Sequence, residues 1–323
     1  MDHTPTRHPD EPTGPDDDLA ALIRRRAAVP GLRPMAWPGL ATARRDEPHG
    51  RAPEILEPCA ILVAQGAMRV WLGGTAWSGD PGRCLVVTSP VLVETEVTAA
   101  SPEAPFLALR LRLEPGAIAA QAGDPGGGAG ERRAAGRHGG VGAADATGEL
   151  RGAACRLLRA LDDPGRRREL APAAEREALS HLLAGEQGSR LRAMISPDSR
   201  AARIAAVLRF LQANFDRPLD VAALAGMAGM SGPAFHHAFS AETGLPPLQY
   251  LKRIRLHRAR LLMLRERLEP GAAARRVGYA SGSRFSQEYR RLFGASPTRD
   301  VSAMQMGATP AVPLLETPPP AAG

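Results

Sequence analysis

The chain has 323 residues but only three cysteines, Cys59, Cys84 and Cys155, and none stands in a CxxC pair. That excludes a disulfide framework, and the simplest reading is reduced thiols in a cytoplasmic protein. No apolar run approaches the ~18 residues that would span a membrane. The opening stretch, with Asp10, Glu11, Asp16, Asp17 and Asp18, has no apolar core of the signal-peptide kind. Lysine occurs once, at Lys252. Histidine is scarce where a metal centre would need it: between Arg51 and Glu149 there is only His138, inside a Gly-rich stretch. A histidine-based centre requires several inward imidazoles and a carboxylate, so no metal is expected, and no other cofactor. A Gly-rich phosphate loop with Lys, a GxSxG elbow and an HExxH pair are all missing.

What is present is positive charge, unevenly placed. The net charge is +7, but residues 196–300 carry about +9 and the remainder about −2. Arginine in place of lysine, with abundant Ala, Gly and Pro, is what GC-rich coding would produce, so arginine content alone argues little. Its segregation into one part of the chain points to a polyanionic partner.

The composition changes along the chain predict an α+β protein in five parts. Residues 1–18 read as a disordered tail, 19–121 as a strand-rich domain, 122–198 as a Gly-rich excursion and helical linker, 199–300 as an all-α basic domain, and 301–323 as a second disordered tail. Between residues 37 and 113, short apolar runs alternate with turn signals at Gly73-Gly74 and Asp80-Pro81-Gly82, the pattern of a small sandwich or barrel. Leu107, Leu109, Leu111 and Leu113 alternate with Phe106, Ala108, Arg110 and Arg112, which predicts one apolar face. Trp71, Trp77 and Arg110 could line a pocket for an acidic ligand; alternatively the tryptophans are ordinary packing and Arg110 lies on a solvated strand face. Helices near 149–161 and 171–185 carry apolar stripes that suit a dimer contact and packing on the sheet equally well.

The most specific signal lies near the end of the chain. DVAALAGMAGMSGPAFHHAF (220–239) and PGAAARRVGYASGSRFSQEYRRLFG (270–294) each read as a short helix, a Gly-containing turn and a second helix opened by a Ser cap. That is a helix-turn-helix, whose second helix enters the major groove of DNA. Two such units joined by one long helix over 247–264 are far more specific than one. That helix would be about 27 Å long, so the reading helices could stand about one turn of DNA apart. With Phe235 and Phe239 turned inward, Pro233, His236, His237 and Ser240 face out. With Phe285, Tyr289 and Leu292 inward, Ser283, Ser286, Gln287 and Arg290 face out and Arg284 lies on the flank. Gln pairs bidentately with adenine, and Arg with guanine or phosphate. The blander alternative for one unit is a solvated helix face. Adjacent residues on a helix diverge by about 100°, so His236-His237 makes a poor metal pair.

The stretches PLDVAALAGMAGMSGPAFHHAFSAETGLPPLQYLKRIRLHRARLLML and VGYASGSRFSQEYRRLFGASPTRD resemble the DNA-binding domain of the AraC/XylS family of bacterial transcription regulators. EPCAILVAQGAMRVWLGGTAWSGDPGRCLVVTSP and TAASPEAPFLALRLRLEPGAIAA resemble the cupin-like N-terminal barrel of a subgroup of that family, and EREALSHLLAGEQGSRLRAM its linker. The resemblance implies double-stranded promoter DNA as partner, RNA polymerase recruitment, and an N-terminal domain that senses a small-molecule effector or forms a homodimer. It carries base-reading positions onto Pro233, His236 and His237, and onto Ser283, Arg284, Ser286 and Gln287. Pro270-Gly271 and Arg275 depart from the family's pattern and would weaken that helix. Two other classes stay open: a cupin-like small-molecule-binding protein or enzyme with a basic DNA-tethering domain, and a sequence-blind DNA-coating protein.

Overall fold

The computed structural model describes residues 18–122 and 139–305. Most of the two terminal tails and of the Gly-rich excursion read from the sequence, His138 included, lies outside the described residues.

Among the described residues, ten strands form two antiparallel sheets laid face to face. The larger has six strands in the order β1 (Gly31–Pro34), β2 (Leu40–Arg45), β9 (Phe106–Arg112), β4 (Cys59–Gln65), β7 (Arg83–Val87) and β10 (Val141–Asp145). The smaller has four: β3 (His49–Leu56), β8 (Val91–Ala99), β5 (Ala67–Leu72) and β6 (Thr75–Gly79). Strand β10 falls within the stretch read from the sequence as excursion and linker; its small residues Gly142, Ala143 and Ala144 gave no apolar run to mark it.

The large sheet is buried on both faces. Leu107, Leu109, Leu111, Ala60, Leu62, Cys84 and Val86 pack against helices, while Phe106, Ala108, Ile61, Val63, Leu85 and Val87 pack between the sheets. Arg110 is therefore not on a solvated strand face; it is 2% exposed and shares the inner side of β9 with Phe106 and Ala108. A strand sandwiched on both sides can alternate Leu with Arg and still hide both. The outer cover is α1 (Leu19–Arg26), α2 (Pro115–Ala122), α3 (Gly148–Ala160), α4 (Pro164–Ala184) and α5 (Gly188–Ile195). The stripes on α3 and α4 are thus spent on the sheet. Helix α4 begins earlier than its apolar stripe, because Asp163 accepts from the N–H of Gly165 and Pro164 sits in the first turn, where a missing N–H costs nothing.

The C-terminal half is helical: α6 (Arg200–Ala213), α7 (Val221–Met227), α8 (Gly232–Thr243), α9 (Pro247–Arg265), α10 (Pro270–Arg276), α11 (Gly282–Phe293) and α12 (Pro297–Gln305). Helix α12 continues past residue 300, where the sequence reading had ended the domain. The halves touch. The outer face of the small sheet gives Ile55 and Leu92 to the same core as Leu208, Phe235 and Tyr250. The Tyr250 hydroxyl donates to the Pro90 carbonyl at 2.8 Å, and the Gly139 N–H donates to the Ala241 carbonyl at 3.0 Å. Among the described residues no helix is long and apolar enough to cross a membrane, and the three cysteines are buried and unbridged.

Candidate nucleic-acid interface

Helix α9 organises the interface. Its first half supplies Tyr250, Leu251 and Ile254 to the core of one lobe, and its second half supplies Leu256, Ala259 and Met263 to the core of the other. Each lobe is a helix-turn-helix. In the first, Asp220 caps α7 by accepting from the Ala222 N–H at 3.1 Å, and Gly229 makes the turn at φ 61°. In the second, Pro270 occupies the first turn of α10 and Gly278 makes the turn at φ 84°. Helix α10 forms despite Pro270-Gly271, since Ala273, Ala274 and Val277 bury its inner side. The two Ser caps differ. Ser281 accepts from the Arg284 N–H at 3.3 Å, whereas Ser231 occupies the cap position of α8 without a side-chain bond.

Phe235, Phe239, Phe285 and Tyr289 are buried, and Leu292 is half-buried. Pro233, His236, His237, Ser283, Arg284, Ser286, Gln287 and Arg290 are exposed; Ser240 is half-buried. The exposed face of α8 offers imidazoles, and that of α11 offers hydroxyls, an amide and guanidiniums. The two exposed faces therefore present different hydrogen-bonding chemistry.

Sequence reasoning missed the groups that hold these helices. In the second lobe the Arg260 guanidinium makes two 2.8 Å bonds to the Asp300 carboxylate, and Tyr289 donates to the same carboxylate at 2.7 Å. This ties α9, α11 and α12 together. Glu288 accepts from Tyr279 at 2.7 Å, from Arg284 at 3.2 Å and from Lys252 at 3.3 Å. Burial pushes its carboxyl up, but the three donors outweigh this and hold it below the usual carboxylate range. The Arg284–Glu288 spacing of four was visible in the sequence; the other two partners come from the turn and from α9. Between the lobes, the Arg255 guanidinium donates to the carbonyls of Phe215 at 2.6 Å, Arg217 at 2.8 Å and Gly278 at 3.4 Å.

The far end of α8 is seated on the small sheet. Ser89 donates to the carboxylate of Glu242, which is buried. Burial raises the Glu242 carboxyl, against the opposing effects of the Ser89 bond and the nearby Arg190 charge. Trp71 points away from the sheet interior, under the Arg51 guanidinium at 3.9 Å, while Trp77 packs against the inter-sheet core. That interior is filled by side chains, Leu56, Ile61, Met68 and Phe106 among them. A hollow of about 760 Å³ lies outside it, lined by Asp18, Gly82, Arg151, Arg156, Glu177 and His181. Among the described residues no cluster of His, Cys, Asp and Glu could hold a metal.

Comparison with known proteins supplies the family. Residues 36–190 match the family described as AraC-type transcriptional regulator N-terminus, and residues 224–301 match the family described as helix-turn-helix domain. The protein named "Probable transcriptional regulator LumQ" from Photobacterium leiognathi is 32% identical over 108 residues, 33% of this chain and 44% of LumQ. The HTH-type transcriptional activator RhaS from Escherichia coli O9:H4 (strain HS) is 32% identical over 104 residues, 32% of this chain and 37% of RhaS. The chain thus spans less than half the length of these curated relatives. Among solved structures, ToxT from Vibrio cholerae strain SCE256, with an unsaturated fatty acid bound, superposes at a TM-score of 0.56 with 9% identity, covering 81% of this chain and 93% of ToxT. At that identity the likeness concerns the fold, and it extends over both halves. With an AraC-type N-terminal half followed by the helix-turn-helix half, the chain belongs to the AraC family of transcriptional regulators.

Proposed function

We propose that this protein is a sequence-specific DNA-binding transcription regulator that reads two successive major-groove segments, one with each lobe. The observation that carries the reading is α9, which gives one half of its length to each helix-turn-helix core and so holds two differently lined reading helices in one rigid domain. A helix of 19 residues is about 28 Å long, which suits lobes spaced near one turn of duplex. Pro233, His236, His237 and Ser240 serve the first box, and Ser283, Arg284, Ser286, Gln287 and Arg290 the second. Because the two faces differ, the site for one protomer is asymmetric rather than palindromic.

The N-terminal half is the regulatory half, responsive to a small-molecule effector. The ToxT fold likeness, in a structure holding a fatty acid, supports a ligand of this general kind. The protein is a regulator, not an enzyme, works in the cytoplasm, recruits RNA polymerase, and pairs with a second copy where two sites adjoin. The relatives being transcriptional regulators supports this over a tethered barrel enzyme.

The test is selection of bound duplexes from a random library by the full chain at stated salt. A split asymmetric motif of two short boxes about one helical turn apart is expected. Binding that enriches no motif and vanishes at moderate salt would instead mean a sequence-blind tether. Gln287→Ala should relax base preference at one position of the second box, at a cost of about 1–3 kcal/mol. An unchanged motif would remove Gln287 from the reading set.

A further inference from the structure

We propose that Glu288 is a positioning residue that sets the base preference of the second reading helix, by turning the Arg284 guanidinium away from phosphate and toward a guanine edge. The proposal rests on the DNA-reading function above.

Arg284 lies in the first turn of α11, three residues after the Ser281 cap, and its side chain is 65% exposed. First-turn residues of a reading helix are those that reach base edges. An exposed arginine there has two uses: a mobile cation that settles on whichever phosphate is near, or an aimed fork that reads guanine O6 and N7. The first requires freedom and the second requires a fixed plane. Glu288 supplies the fixing. It is one turn further along the same face, and its side chain is only 12% exposed. Its acceptor atom Oε1 takes the Arg284 Nε–H at 3.2 Å. Holding Nε pins one edge of the planar guanidinium, and neither Nη has a partner among the described residues. The two Nη groups are left as a paired donor edge, the geometry that a guanine accepts.

An ordinary exposed ion pair would not hold such a plane, because two long side chains fluctuate and contribute little. This carboxylate is clamped from outside its own helix. The Tyr279 hydroxyl reaches it from the turn at 2.7 Å, and the lone lysine, Lys252, reaches it from α9 at 3.3 Å. A carboxylate beside a polyanion repels phosphate, so it also discourages the mobile use of Arg284. Lys252, engaged in the same cluster, is likewise kept off the backbone.

The experiment repeats the duplex selection with Glu288→Gln, which retains an acceptor for Tyr279 and Lys252 but removes the charge. The expected result is a guanine preference at one position of the second box reduced by about tenfold or more, with the first box unchanged. The slope of log affinity against log salt should steepen by about one, because a released cation joins the phosphate contacts. In an Arg284→Ala background, Glu288→Gln should have no further effect on that position, which a merely structural role would not satisfy. An unchanged motif, or an equal change in both backgrounds, overturns the proposal. A wild-type protein that enriches no motif overturns the DNA-reading function and this inference with it. Should Glu288→Gln not fold, exchange of the Nε–H with water decides in the wild-type chain. Arg284 should exchange more slowly than Arg290, which is exposed on the same helix with no partner among the described residues; equal rates overturn the proposal.

Discussion

The Asp300 carboxylate is 2% exposed and is matched by one guanidinium and one phenol, Arg260 and Tyr289. A buried charge so matched contributes modestly as a pair but heavily when one member is removed. Asp300→Ala should therefore destabilise the second lobe by about 3–5 kcal/mol, read as a lowered midpoint in denaturant, because Arg260 is left charged inside the core. A loss under 1 kcal/mol would mean that water reaches Arg260 in the variant. His257 is the opposite case. It packs edge-on to Phe293 at 5.2 Å, with its Nε2 unbonded among the described residues. Burial, and then the charges of Arg260, Arg253 and Arg258, push its imidazole down to about 3. The unfolded chain takes up this proton near pH 6.5 while the folded chain refuses it until about 3. Stability from this group is thus complete above pH 6.5 and is lost as pH falls from there toward 3. His257→Leu should flatten that part of the stability profile; an identical acid slope in wild type and variant would show that carboxylates alone cause it.

At the scale of elements, the relative pose of α8 and α11 depends on more than α9. Gly278 turns at φ 84°, and a Cβ there would stand 2.4 Å from the Asp216 carbonyl oxygen, so the turn of one lobe lies directly on the loop of the other. Arg255 closes that contact through three backbone carbonyls. Arg255→Ala should cost about 1.5–3 kcal/mol, the range for hydrogen bonds to a charged donor, and let the lobes unfold in separate steps. Selected DNA sites should then tolerate a wider range of box spacings; an unchanged spacing would assign rigidity to α9 alone. The elements themselves were legible in the sequence because each carried its own punctuation: Asp220, Ser281 and Pro270 at helix starts, Gly229 and Gly278 in turns, paired aromatics at helical spacing. The placement of Arg110 was not, because a Leu/Arg alternation looks the same whether the arginine side meets water or a second sheet. The clamp on Glu288 was half legible: Arg284 is four residues away, but Lys252 is 36 residues distant. Strand β10 was hidden by its small residues, which form a strand only because β7 offers an open edge.

The whole molecule is arranged in layers: a helical cover, the large sheet, the small sheet, and then the first lobe. The last boundary contains an ionisable group, Glu242, faced by Ser89 from the small-sheet side and Arg190 from α5. Its carboxyl is raised when docked, so the docked form holds the proton more tightly than a solvated one. Docking is accordingly favoured at and below the ordinary carboxylate range and weakens as pH rises through the raised value. Hydrogen exchange at the end of α8 should report this as faster opening at higher pH, and Glu242→Gln should remove the dependence. Exchange equally pH-dependent in the variant would point to another group. Sequence could not reveal this boundary, since Ser89 and Glu242 are separated by 153 residues. Beside them, Gly244 at φ 69° sits so close to the β5–β6 hairpin that a Cβ would come within 2.6 Å of the Gly73 nitrogen. Two bare backbones meet there, as a mortise meets a tenon. The halves of this regulator are consequently not interchangeable cassettes: a DNA-binding half borrowed from a relative with a side chain at the position of Gly244 would fold, but it would not seat, and whatever passes between the two halves through this joint would be cut off.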